Sequence, residues 1–109
     1  MNESEHELTV LYIPYDSNEP CEFVTIDLLN EGISDVLNCH HIEGVTCKIP
    51  NVNIWIDEDS LFEKRPLNSR ASSLTTYDIS ISGDAVLVKS DGYGNDISIN
   101  KNELEIPNE

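Results

Sequence analysis

Val45, Cys47 and Ile49, followed by Val52, Ile54 and Ile56, place apolar side chains at every second position on either side of Pro50-Asn51. A period of two puts those side chains on one face of an extended chain, and the Pro-Asn pair supplies the turn between two antiparallel strands. Similar signals recur elsewhere. Leu8 to Pro14 is rich in Val, Leu, Ile and Tyr, a turn is expected over residues 15–20, and Cys21 to Ile26 alternates with Cys21, Phe23 and Ile26 inward. Only one stretch reads as a helix. Asp27 is a plausible N-cap, and Leu29, Ile33, Val36 and Leu37 make one apolar stripe, with Gly32 costing about 1 kcal/mol relative to Ala inside it.

After Ile42, Gly44 breaks the alternation, which predicts a bulge or turn there. Leu61 to Thr76 has few apolar residues and reads as a long, exposed connection of the kind that often carries function. Ile79 to Lys89 and Asp96 to Asn100 are expected as closing strands around a Gly-rich turn at Asp91 to Asn95. The pattern predicts an α+β domain, a small, mostly antiparallel sheet of five or six strands with one short helix on one face. At 109 residues there is room for one core. Residues 1–7 are expected as a flexible acidic N-terminus and residues 8–106 as the single domain.

Charge narrows the function classes. Residues 1–63 carry 14 acidic side chains and one basic one, Lys48, so most of the net charge of −15 lies there. Such a chain repels nucleic acid and anionic membranes and is steered toward basic protein surfaces. The six Lys and Arg residues are too few for an extended phosphate-binding track, so no direct nucleic-acid binding is expected. Spread over roughly 6,000 Å² of surface, the net charge amounts to only about one per 400 Å². Imitating DNA, with about one charge per 1.7 Å of axis, therefore requires the acids to be gathered. No membrane span or leader is read, and the three cysteines suit a reducing compartment, so a cytoplasmic location is expected.

The densest candidate site runs from Trp55 through Asp57, Glu58 and Asp59 to Asn68 and Arg70. Two readings stay open. Arg70 and Lys64 neutralise Asp57 to Glu63 in a solvated loop, each exposed pair contributing about 0–1 kcal/mol; or Asn68 and Arg70 anchor a phosphate, a carboxylate or an acidic loop of a partner, which the planar Arg fork matches. The acidic cluster suits a hard cation in type but lacks the 12-residue calcium-loop pattern. Trp55 is either a core residue or an exposed interface anchor.

Cys39, His40, His41 and Cys47 raise the question of zinc, but their spacing fits none of the strong patterns. A single strand would also turn His40 away from the other three. Neither a nucleophile elbow nor a glycine-rich phosphate loop occurs, so no catalytic residue, cofactor or metal is expected.

Asp57-Glu58, Pro66, Asn68, Arg70-Ala71, Gly83-Asp84 and Asp91-Gly92 occur in that order. In this the chain resembles a family of small domains of unknown function common in phages, plasmids and some large viruses. That family shows an acidic Asp-Glu, a Leu-Pro-x-Asn-Arg-Ala-like loop and a Gly-Asp-Val-Val-like strand before an acidic turn. Here Asp59 stands where a Gly is usual, and Ser69 separates Asn68 from Arg70. The resemblance implies a small α+β domain and brings no catalytic residues. Together these features favour a non-enzymatic acidic module that binds a basic protein surface, such as that of a host nucleic-acid enzyme, as an inhibitor or DNA mimic. The alternative is a small-ligand domain or enzyme working at the Asp57 to Arg70 loop. The residues fix neither the partner nor the oligomeric state.

Overall fold

A computed structural model describes residues 7–27, 32–61, 65–77 and 79–100. Among them are six strands: β1 (Glu7–Ile13), β2 (Glu22–Asp27), β3 (Ile42–Thr46), β4 (Val52–Asp57), β5 (Ala85–Ser90) and β6 (Asp96–Ile97). The helices are α1 (Gly32–Leu37) and α2 (Ser69–Ser72), with a 3-10 turn at Glu58–Leu61. All strands pair antiparallel in the order β2-β1-β5-β4-β3, and β6 pairs the far end of β5.

β5, late in sequence, is the central strand in space. Its run Ala85-Val86-Leu87-Val88 is buried at every position, as a strand covered on both faces requires. Ala85 and Leu87 join Leu11, Ile13, Ile54 and Ile56 on one face, while Val86 and Val88 join Leu8, Val10 and Ile26 on the other. Burying each Leu or Ile stabilises by about 1.5–3 kcal/mol before entropy is counted. The second face is covered by α1 through Ile33, Val36 and Leu37. The first is covered by the connection between β4 and β5 through Ala71, Leu74 and Ile81.

Several local expectations change. Asp27 is the last residue of β2 and α1 begins at Gly32; residues 28–31, Leu29 among them, lie outside the described residues. A Cβ at Gly32 would sit 2.9 Å from Ile26 Cδ1, so glycine lets α1 seat directly on β2. Ile26 faces α1, opposite to Phe23. There is no bulge at Gly44, because β3 pairs β4 without interruption from Ile42 to Thr46. Glycine is there for another reason: its cross-strand partner is Trp55, whose ring would lie 3.3 Å from an added Cβ. The stretch before β5 is not strand up to Ala85, apart from a bridge between Leu67 and Ser82. The helix on one face is joined by α2 on the other. Of the expected N-terminal tail, Glu7 opens β1 and residues 1–6 lie outside the described residues.

Trp55 is the sole Trp of the chain and reports on this packing directly. Gly44→Val should displace the indole, costing about 1–3 kcal/mol in equilibrium unfolding and shifting Trp fluorescence to the red. Unchanged stability and emission would contradict the stacking role.

Candidate functional site

β4 ends, β5 begins and β1 ends at the same edge of the sheet, because the strands are antiparallel neighbours with Ile13 and Ile56 both opposite Ala85. The β4-to-β5 connection therefore leaves and returns at one place. There it brings together Asp57, Arg65, Asn68, Arg70 and Asp84, which the sequence scatters over 28 positions.

Asn68 is the centre of this cluster and is 0% exposed. It caps α2, its Oδ1 accepting from the Ala71 N–H at 3.0 Å. Its Nδ2 donates to the carbonyls of Ile13, at 3.0 Å, and Gly83, at 2.9 Å. Its own N–H donates to Ile81 O, and its carbonyl accepts from both the N–H and the Oγ of Ser72. One amide thus joins the end of β1, the start of β5 and the first turn of α2. Thr75, also buried, continues the same function by tying Ser72 to Ile79.

Arg70 is 4% exposed, and its Nη2 donates to the carbonyls of Pro14 and Asp16, each at 2.9 Å. Its Nε is buried with no hydrogen-bond partner among the described residues. The expected exposed loop is therefore a buried one at Asn68, Arg70, Ala71, Leu74 and Thr75. The expected pairing of Arg70 with the acidic cluster also changes, since Arg65 is the residue that meets Asp57, Nη1 to Oδ2 at 2.7 Å. Lys64 and Glu63 lie outside the described residues.

Asp57 is buried and fully occupied. Besides Arg65, its carboxylate accepts from the Asp59 N–H at 2.9 Å, and its carbonyl accepts from Ser60 Oγ at 2.7 Å. Glu58 and Asp59 point to solvent. Gly83 has a φ of +81° and lies against the Arg65 stem, where a Cβ would come within 3.3 Å of Cδ. Beside it, Asp84 accepts from the Tyr12 hydroxyl at 2.6 Å and from the Tyr15 N–H at 3.0 Å. Burial, reinforced by that carboxylate, raises the Tyr12 phenol above its ordinary value and keeps it protonated.

Trp55 is half-buried, packed in the layer beneath α1. Cys39 belongs to that layer and Cys47 to the opposite one, so the sheet separates these two thiols. Burial is the leading cause of a raised pKa at Cys21, Cys39 and Cys47, which disfavours the nucleophilic thiolate. At the far end of β5, Asp91 organises the Gly-rich turn. The Asn95 amide and the Tyr93 N–H hold its carboxyl below the usual range.

The family of domains of unknown function designated DUF3846 matches the chain over residues 8–106. The chain belongs to the DUF3846 family. No curated protein and no solved structure matches it. Of the motif positions noted in this DUF3846 sequence, Asp57, Asn68, Arg70 and Gly83-Asp84 meet at one sheet end, whereas Asp91-Gly92 lies at the other. Reading the sequence missed Tyr12, the pairing of Arg65 with Asp57, and Thr75. The first two carried a usable signal, a polar tip on an otherwise apolar strand and an Arg next to Pro66; Thr75 carried none.

Arg70→Ala removes two charge-assisted hydrogen bonds and opens a cavity, and should lower unfolding free energy by about 3 kcal/mol or more. Chemical denaturation checks this, and a stability within about 0.5 kcal/mol of the parent would show that the carbonyl contacts carry no weight.

Proposed function

We propose that this DUF3846 domain is a non-enzymatic binding module that engages a basic protein surface. One observation carries the reading: among the described residues nine acidic side chains are exposed against a single exposed basic one, Lys48. Folding sharpens the imbalance already present in the composition. Arg70 is buried and Arg65 is held by Asp57, so these two cations are withdrawn or neutralised while nine carboxylates among the described residues stay exposed.

Electrostatics of this kind accelerate encounter and select partners more than they add affinity. The densest clusters of cations on proteins occur where nucleic acid is held. A nucleic-acid enzyme is therefore the specific partner class we favour, with inhibition or DNA mimicry as the outcome. The resemblance to domains common in phages and plasmids, where small acidic proteins often block such enzymes, supports the same choice. A ligand role for the Asp57 to Arg70 loop would instead require Asn68 and Arg70 to release main-chain carbonyls they already satisfy. No helix among the described residues is long and apolar enough to cross a membrane.

Proteins retained from a lysate by the immobilised chain should be basic, and added duplex DNA should compete for them. Retention should fall as salt shortens the screening length from about 8 Å at physiological strength to about 3 Å at 1 M. It should also fall for the triple variant Glu22→Gln, Asp35→Asn, Glu43→Gln. Retention indifferent to salt and to these substitutions would contradict the proposal.

A further inference from the structure

The two lateral edges of the sheet are treated differently. On the β3 side, the segment after α2 lies along the edge: Thr76 N–H donates to Thr46 O, Lys48 N–H donates to Leu74 O, and Cys47 bridges Thr75. Such cover is a common protection against unwanted strand pairing. The β2 side has no equivalent among the described residues. Thr9 donates its N–H to Ser98 Oγ and accepts from the Ile99 N–H, so its main-chain groups point away from β2. In an antiparallel ladder the residue opposite then also turns its groups away from the pair. That residue is Thr25, and the same alternation applies to Phe23 opposite Leu11. The N–H and C=O groups of Phe23 and Thr25 face outward with no partner among the described residues.

Alongside this edge runs a groove of about 210 Å³ between β2 and α1, lined by Val24, Ile26, Gly32 and Val36 with Asp27 and Asp35 at its rim. Glu22 stands exposed at the start of the same strand. The edge thus offers two peptide units without a partner among the described residues, an apolar floor and the exposed carboxylates of Glu22 and Asp35.

We infer that β2 accepts an extended basic segment of a partner as an added strand. Phe23 and Thr25 supply the main-chain hydrogen bonds, an aliphatic side chain of the segment enters the groove, and its Lys or Arg side chains two positions away, on the same face, meet Glu22 and Asp35. Strand addition of this type draws affinity from the backbone and selectivity from alternate side chains. The inference rests on the acidic-surface reading above and specifies where on that surface, and in what conformation, the partner is held.

The probe is the seven-residue peptide Lys-Thr-Val-Thr-Lys-Thr-Val with blocked ends, which carries Lys and Val on one face, compared with the same peptide N-methylated at every residue, which keeps the charge but cannot donate. The unmethylated peptide should slow amide exchange at Phe23 and Thr25 and should bind about tenfold or more tighter than its methylated form. Thr25→Pro removes one outward donor at an edge position that tolerates proline, and should weaken the unmethylated peptide severalfold because one of its carbonyls loses a donor. If both peptides bind the parent equally and those amides stay unprotected, strand addition is overturned while attraction to basic partners stands. If neither binds even at low salt, both readings fail. The methylated control uses the parent protein, so the result does not depend on whether Thr25→Pro folds.

Discussion

The carboxamide of Asn68 is the contact on which the arrangement depends. A six-stranded antiparallel sheet whose middle strand comes late in sequence must place β5 between two hairpins already made, β1–β2 and β3–β4. Backbone pairing supplies the ladder, but the ends of β1 and β5 leave carbonyls at Ile13 and Gly83 that face a buried chain. An unsatisfied carbonyl there costs about 1–3 kcal/mol, a large share of the 5–15 kcal/mol by which a domain is stable. Asn supplies two donors and one acceptor in a plane, which fits two carbonyls and one helix N–H at once. Arg70 repeats the device one residue past Ser69, binding the carbonyls of Pro14 and Asp16 after β1. A net charge of −15 makes a buried guanidinium less costly to hold than it would be in a basic protein.

Strand-forming segments were legible because period two survives in sequence wherever one sheet face is apolar. β1, β2, β4 and the turn at Asn51, with its φ of 63°, follow from that signal. Gly44 misled because a glycine in a strand has two physical uses. The break in alternation suggested a bulge, whereas the position opposite Trp55 needed room for a ring. The connection misled for a related reason. Ser, Thr, Asn and Arg read as solvated when counted by type, yet here Asn68, Arg70, Ser72, Ser73 and Thr75 all bond main-chain carbonyls, and for Asn68 and Arg70 such matching depends on strand ends distant in sequence. Asn68 bonds across 55 residues and Arg70 across 56. That Asp57 is met by Arg65 rather than Arg70 turns on the same long-range geometry.

The division of labour between the charges follows from this. Arg70 is spent on the interior and Arg65 on Asp57, both near strand ends, while nine carboxylates among the described residues are left at the surface. Charge asymmetry in the sequence and the polar tie at the sheet end are therefore two sides of one economy of cations. The sheet edges show a similar contrast: the connection that Asn68 and Thr75 hold down covers β3, while β2 has no such cover among the described residues. Structure-holding residues and surface-exposed residues in this DUF3846 domain are largely separate sets.

The most direct measurement is the unfolding free energy of Asn68→Asp at neutral pH. The substitution keeps the size of the side chain and the oxygen that caps α2, but it replaces the donating amide group by an oxygen facing the carbonyls of Ile13 and Gly83. If Asn68 closes the sheet end, the variant should lose about 2–4 kcal/mol, from two lost donors and an ionised group in a buried site. A stability within about 0.5 kcal/mol of the parent would mean that the strand ends are held by something other than this amide.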